Sequence, residues 1–78
     1  MPSKITKQQE KQLKKLGARI REIRQEKGMS LQDLAHSIDK DKQSISRVEL
    51  GQSNPTFIYL TEVCKGLGIE LSELVQGL

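Results

Sequence analysis

The chain has little of what enzymes, secreted domains and membrane proteins usually need. One cysteine, Cys64, stands in 78 residues. That excludes an intrachain disulfide and any multi-cysteine metal site, and it makes a reducing compartment the simplest home. There is no tryptophan, and Phe57 and Tyr59 are the only aromatic residues. Two rings leave little to stack on unpaired bases, which disfavours binding to RNA or single-stranded DNA. The longest apolar run in the body of the chain is FIYL at 57–60, far short of the ~20 residues a membrane span needs. The opening MPSKITKQQEKQ has no apolar stretch that could act as a secretory signal. No His–Cys or His–Ser partner set, glycine-rich phosphate loop or metal-ligand cluster is legible, so catalysis, a cofactor and a metal are not expected. These absences point to a soluble cytoplasmic protein that is not an enzyme.

What is there is charge, unevenly spread. Charged residues make up 29% of the chain and apolar ones 35%. Residues 1–28 hold nine Lys or Arg and three Glu, which gives +6; residues 29–78 hold four and seven, which gives −3, for a net +3. Such an imbalance favours a polyanionic partner approached from one side. The length suits one domain with a thin core, for which oligomerisation is a natural support.

Every strong local signal is helical. Thr6 and Gln9 fit a capping box, after which Leu13, Leu16, Ile20 and Ile23 recur at helical spacing up to a stop at Gly28. Residues 1–10 are a basic extension and the start of this helix, with a mobile tip expected over 1–5. Ser30 and Asp33 open a second helix, with Met29 placed to staple onto Leu34, and Leu31, Leu34, Ala35 and Ile38 form its inner face. Asp39-Lys40 leaves room only for a tight turn, Asp41 caps a third helix, and that helix runs to about Leu50 before Gly51. GQSNP at 51–55 is a loop, and Thr56 caps a fourth helix with Phe57, Leu60, Val63, Cys64 and Leu67 as its buried stripe. After Gly68, a short fifth helix is traced by Leu71, Leu74, Val75 and Leu78. The expected fold is all-α, a compact five-helix domain.

The third helix carries the question of function. In DKQSISRVELG at 41–51, Ile45 and Val48 fall on one side, while Gln43, Ser46 and Arg47 fall together on the other. Helices two and three are too short to stand alone, and joined by a tight turn they have the geometry of a helix-turn-helix. Between Leu16 and Val75 the segments LGARIREIRQEKGMSLQDLA, SISRVELG, NP and LGIELSELV resemble the lambda-repressor/Cro-type helix-turn-helix domains, the Xre family.

That resemblance implies base reading by the third helix, from Lys42, Gln43, Ser46 and Arg47. Gln pairs bidentately with adenine and Arg with guanine, and Lys donates to guanine or phosphate. It implies phosphate contacts from Ser30, Gln32, Ser44, Ser53, Asn54 and Thr56, and a structural ion pair between Arg24 and Glu49. Ile58, opposite Leu60 and Val63 on the helix wheel, is with Val75 and Leu78 a candidate dimer interface. Three positions depart from the family pattern: Leu31 stands where Gln is common, Asp39 where the turn often holds Gly, and Glu70 where a hydroxyl usually caps helix five. His36 is expected on the surface and Cys64 in the core. The function implied is that of a sequence-specific double-stranded DNA-binding transcriptional regulator, a repressor acting as a homodimer on a near-palindromic operator. It would respond to its own concentration, with no small-molecule effector. The alternative is a protein-interaction module, an antitoxin or adaptor that binds DNA only secondarily.

Overall fold

Each of the first four helices begins where a short polar side chain holds a free backbone N–H. In the computed structural model, which describes residues 4–78, α1 is Lys7–Glu26, α2 Leu31–Ser37, α3 Lys42–Glu49, α4 Phe57–Leu67 and α5 Leu71–Val75. Of the tip expected over 1–5, residues 1–3 lie outside the described residues. Thr6 Oγ1 accepts from the Gln9 N–H at 3.0 Å, and Gln9 Oε1 accepts from the Thr6 N–H at 2.8 Å. Ser30 and Asp33 make the same reciprocal pair at 3.0 and 2.9 Å. Asp41 Oδ1 accepts from the Ser44 N–H at 2.7 Å, and Thr56 Oγ1 from the Tyr59 N–H at 3.0 Å. At α5 the Glu73 carboxylate accepts from the Glu70 N–H, at 3.2 Å.

The Asp41 cap matters most to the candidate site, because it opens α3, which is only eight residues long. Asp41→Ala is expected to cost about 0.5–2 kcal/mol of stability, measured by urea denaturation. An unchanged midpoint would mean that α3 does not depend on this cap.

The first four helices also end alike. The N–H groups of Met29, Lys40, Gln52 and Ile69 reach back to the carbonyls of Arg24, Ala35, Arg47 and Cys64 at 2.9–3.0 Å. Each of these bonds closes a Schellman turn whose preceding residue must be left-handed. Three of those residues are glycine; the fourth is Asp39, at φ 56°, the only positive-φ residue other than glycine among the described residues. Aspartate tolerates this region better than most side chains, so the tight turn between α2 and α3 survives without glycine.

The core draws on all five helices: Ile20, Leu34, Ile45, Val63, Leu67 and Leu74 are the largest fully buried side chains. α1 is the spine, packing on α3 and α5, while α2 packs on α3 and α4. There is no strand among the described residues, and the fold is the expected all-α one. Burial pushes the Cys64 thiol up from its ordinary value, which keeps it protonated and inert in the core. No described helix is long and apolar enough to cross a membrane, and the described residues contain no cluster able to hold a metal.

Two expectations need correction. Phe57 is not part of the buried stripe of α4 but 65% exposed. It is the first residue of the helix, and helical side chains lean towards the N-terminus, which takes a first-turn side chain away from the core beneath the later turns. The buried part of the stripe is Val63, Cys64 and Leu67, with Leu60 packed against it. The fifth helix stops at Val75, so Leu78 lies beyond it; Gln76 is extended and Gly77 left-handed. Only Leu74 of α5 is fully buried, and Val75 and Leu78 are exposed.

Candidate nucleic-acid interface

α3 is held from behind by three different contacts. Ile45 and Val48 sink into the core, at 1% and 4% exposed. Arg24 of α1 grips Glu49 side-on, with Nε donating to Oε2 at 2.7 Å and Nη2 to Oε1 at 3.0 Å. The remaining Arg24 Nη1 donates to the Met29 carbonyl at 2.7 Å, which ties the linker ahead of α2 to the same guanidinium. Both side chains are buried, and the hydrogen bond and charge of Glu49 raise the Arg24 pKa above its ordinary value against the opposing pull of burial. The third contact is made by a residue with no side chain. At Gly17 of α1, an added Cβ would overlap the carbonyl oxygens of Val48 and Glu49 and sit 2.6 Å from the Glu49 carbonyl carbon. The two helices therefore touch backbone to backbone at the end of α3.

With its rear face fixed, α3 turns Lys42, Gln43 and Arg47 to solvent, with Ser46 half-buried among them. Neither cation is spent within the fold: the ion pairs among the described residues are Arg19–Glu22, Arg24–Glu49 and Lys40–Glu62. Ser44 differs from its neighbours. Its hydroxyl lies 2.8 Å from the Tyr59 hydroxyl on α4 and donates to the Asp41 carbonyl at 3.3 Å.

The residues expected to meet phosphate flank this helix. Ser30 and Gln32 are exposed at the start of α2, whereas Leu31 packs against the core. The capping hydroxyls of Ser30 and Thr56 accept from backbone N–H groups, which leaves each O–H proton free to donate outward. Ser53 is half-buried and Asn54 exposed in the loop after α3. That loop lines one groove with Ile5, Leu50 and, from α1, Glu10, Leu13 and Lys14, so the first helix reaches the same neighbourhood. His36 is exposed, as expected.

Ile58 is 65% exposed on the first turn of α4, next to the equally exposed Phe57. Leu78 borders a groove on the outer side of α1 lined by Gln8, Lys11, Gln12 and Lys15. Three contacts between distant segments have no counterpart among the sequence expectations. Gly17 left one trace, a glycine inside an otherwise regular apolar repeat. Tyr59 meets Ser44 across fifteen residues of chain. Arg19 joins α1 to α5 by donating from Nη2 to the Glu73 carbonyl at 3.2 Å.

Comparison with known proteins places this geometry. The profile described as helix-turn-helix matches residues 20–74. The control protein C.MunI of Mycoplasma sp is 36% identical over 65 residues, covering 82% of this chain and 88% of that protein. The HTH-type transcriptional regulator DdrOP3 of Deinococcus deserti is 35% identical over 63 residues, and there the match covers 81% of this chain but only 49% of the regulator. This chain thus spans about half the length of that relative. Among solved structures, the restriction-modification controller protein C.AhdI from Aeromonas hydrophila superposes with a TM-score of 0.80 at 36% identity, covering 82% of this chain and 97% of that one. The controller protein C.Esp1396I, solved as a tetramer with its natural 35 base-pair operator, superposes with a TM-score of 0.72 at 33% identity, covering 81% of this chain and 92% of that one. By the extent of the family match and the α2–turn–α3 unit it contains, the chain belongs to the lambda-repressor-like (Xre) helix-turn-helix family of DNA-binding transcription regulators.

Proposed function

We propose that this chain binds a specific double-stranded DNA sequence as a homodimer and represses transcription from it in the cytoplasm. The observation that carries the reading is the combination on α3: Lys42, Gln43 and Arg47 exposed in front, and a buried bidentate ion pair fixing the helix behind. A surface of merely solvated side chains needs no such clamp; a reading head needs its orientation held.

In the proposed complex α3 lies in the major groove. Arg47 takes the N7 and O6 of guanine, Gln43 the N6 and N7 of adenine, and Lys42 a guanine or a phosphate beside it, with Ser46 available to a base edge. Ser30, Gln32, Ser53, Asn54 and Thr56 donate to the backbone and set the register. The exposed lysines of α1 add sequence-independent attraction that weakens with salt. Two copies related by two-fold symmetry would place their third helices about 34–36 Å apart on a near-palindromic operator. Ile58, Val75 and Leu78 are the residues proposed to bring the copies together; the C.Esp1396I tetramer on its operator supports DNA binding by more than one copy.

Selection of binding sites from random duplex DNA by the purified chain tests the proposal, and a two-fold symmetric consensus is the expected result. On that site Arg47→Ala should lose about 1–3 kcal/mol of binding and relax preference at one base pair. Equal losses on the selected site and on random duplex would remove Arg47 from base reading. No consensus at all, together with one stoichiometric protein partner, would replace this function with that of an adaptor.

A further inference from the structure

α4 grips the start of the reading helix from outside the helix-turn-helix unit, and it does so through one residue. The Tyr59 hydroxyl sits 2.8 Å from Ser44 Oγ in the first turn of α3. Lys40, in the turn just ahead of α3, holds its ammonium 5.7 Å from the centre of the Tyr59 ring and 3.0 Å from Glu62 Oε1, one turn further along α4. Tyr59 therefore touches the chain on both sides of the Asp41 cap. The protons can be followed. Ser44 Oγ has the Tyr59 hydroxyl at 2.8 Å and the Asp41 carbonyl at 3.3 Å, so its one proton goes either to Tyr59 or, where Tyr59 donates, to Asp41. In both cases the Ser44 proton is used inside the protein and is not left for a phosphate oxygen.

We propose that Tyr59 is a positioning residue for sequence reading, which takes the Ser44 hydroxyl away from DNA and fixes the first turn of α3 so that Lys42 and Gln43 meet the bases at a set angle. This role rests on the proposed DNA-reading function. It assigns Ser44 to holding the helix in place of contacting the backbone. It also gives α4, which contributes no base reader, a direct hand in specificity.

Tyr59→Phe tests the idea, because it keeps the ring and its packing and removes only the bridging oxygen. The affinity of the full chain for its selected duplex should fall about 2–10-fold, the equivalent of one net hydrogen bond. Affinity for random duplex should not change. Preference should relax at the base pairs under Lys42 and Gln43, while the one under Arg47 keeps its discrimination. Ser44→Ala should do the same, and the double variant should do no more than either alone. Since the chain has one tyrosine, fluorotyrosine labelling gives a single fluorine resonance, which should shift in Ser44→Ala. A wild type without sequence preference would sink the DNA-reading function itself. If the wild type reads sequence and Tyr59→Phe reads it identically, the positioning role is overturned and the function stands. A uniform loss on every duplex from Ser44→Ala, absent in Tyr59→Phe, would likewise overturn it by making Ser44 a phosphate contact.

Discussion

Arg24→Ala is expected to cost about 3–5 kcal/mol of folding stability. The attraction within the pair is not the main reason. Arg24 and Glu49 are 7% and 8% exposed, so truncating the arginine leaves a carboxylate out of water with no counter-charge. The same change strips the Met29 carbonyl of its donor. A domain of this size holds roughly 4–12 kcal/mol in all, and each kcal/mol lost lowers the melting temperature by about 4–8 °C. The variant should therefore melt well below the wild type by calorimetry. The paired change Arg24→Met with Glu49→Leu separates the two possible causes. If the damage comes from the stranded charge, the double variant should recover most of the loss, because an apolar pair of similar volume is often as stable as a buried ion pair. A double variant as unstable as Arg24→Ala would show that the hydrogen bond to Met29 is what matters.

Gly17→Ala is expected to destabilise although it improves helix propensity, and the sign of the change is the test. In an exposed helix interior, glycine to alanine gains about 1 kcal/mol. Here the methyl would land on the Val48 and Glu49 backbone, and backbone cannot rotate out of the way as a side-chain tip can. Overpacking typically costs about 1–3 kcal/mol, and contact with the backbone of two residues puts this position at the upper end or beyond it. The net loss should be about 2 kcal/mol. Binding to the selected duplex should weaken further, because α3 can make room only by moving off α1. Ala18→Gly at the exposed neighbouring position is the control, and should cost about 1 kcal/mol through propensity alone without touching sequence preference. If Gly17→Ala instead stabilises the protein, α1 and α3 do not meet backbone to backbone.

The sequence announced this fold through devices that act within a few residues. Thr6 with Gln9, Ser30 with Asp33, Asp41 and Thr56 each mark a helix start, and each bond spans three residues. Asp39 could be placed in the left-handed turn because it stands where a glycine would otherwise be needed. The outward face of α3 came from the apolar positions of Ile45 and Val48. Where local rules met a helix end they failed. Phe57 fits the apolar period of α4 but sits on its first turn, where the period no longer points inward; Leu78 fits the period of α5 but lies past its last residue, Val75. The features that aim the site were the least legible. Arg24 and Glu49 were paired by family likeness, since nothing in either stretch names the other. Tyr59 with Ser44, and Gly17 under α3, are meetings between distant segments that only the folded chain reveals.

The lengths of α2, α3 and α5, at seven, eight and five residues, bear on how long the protein persists in a cell. None approaches the ~12–15 residues at which an isolated helix becomes even marginal. Losing the grip of α1 therefore releases α3 and α5, and α2 loses its α3 partner with them, so amide exchange in α3 should need the same opening as exchange in the core. Proteases that act on opened chains would then sample one event, whose frequency is set by total stability. A change of about 1–2 kcal/mol anywhere along α1 can thereby alter abundance several-fold, and regulator dosage becomes a property of the spine as much as of the promoter that feeds it.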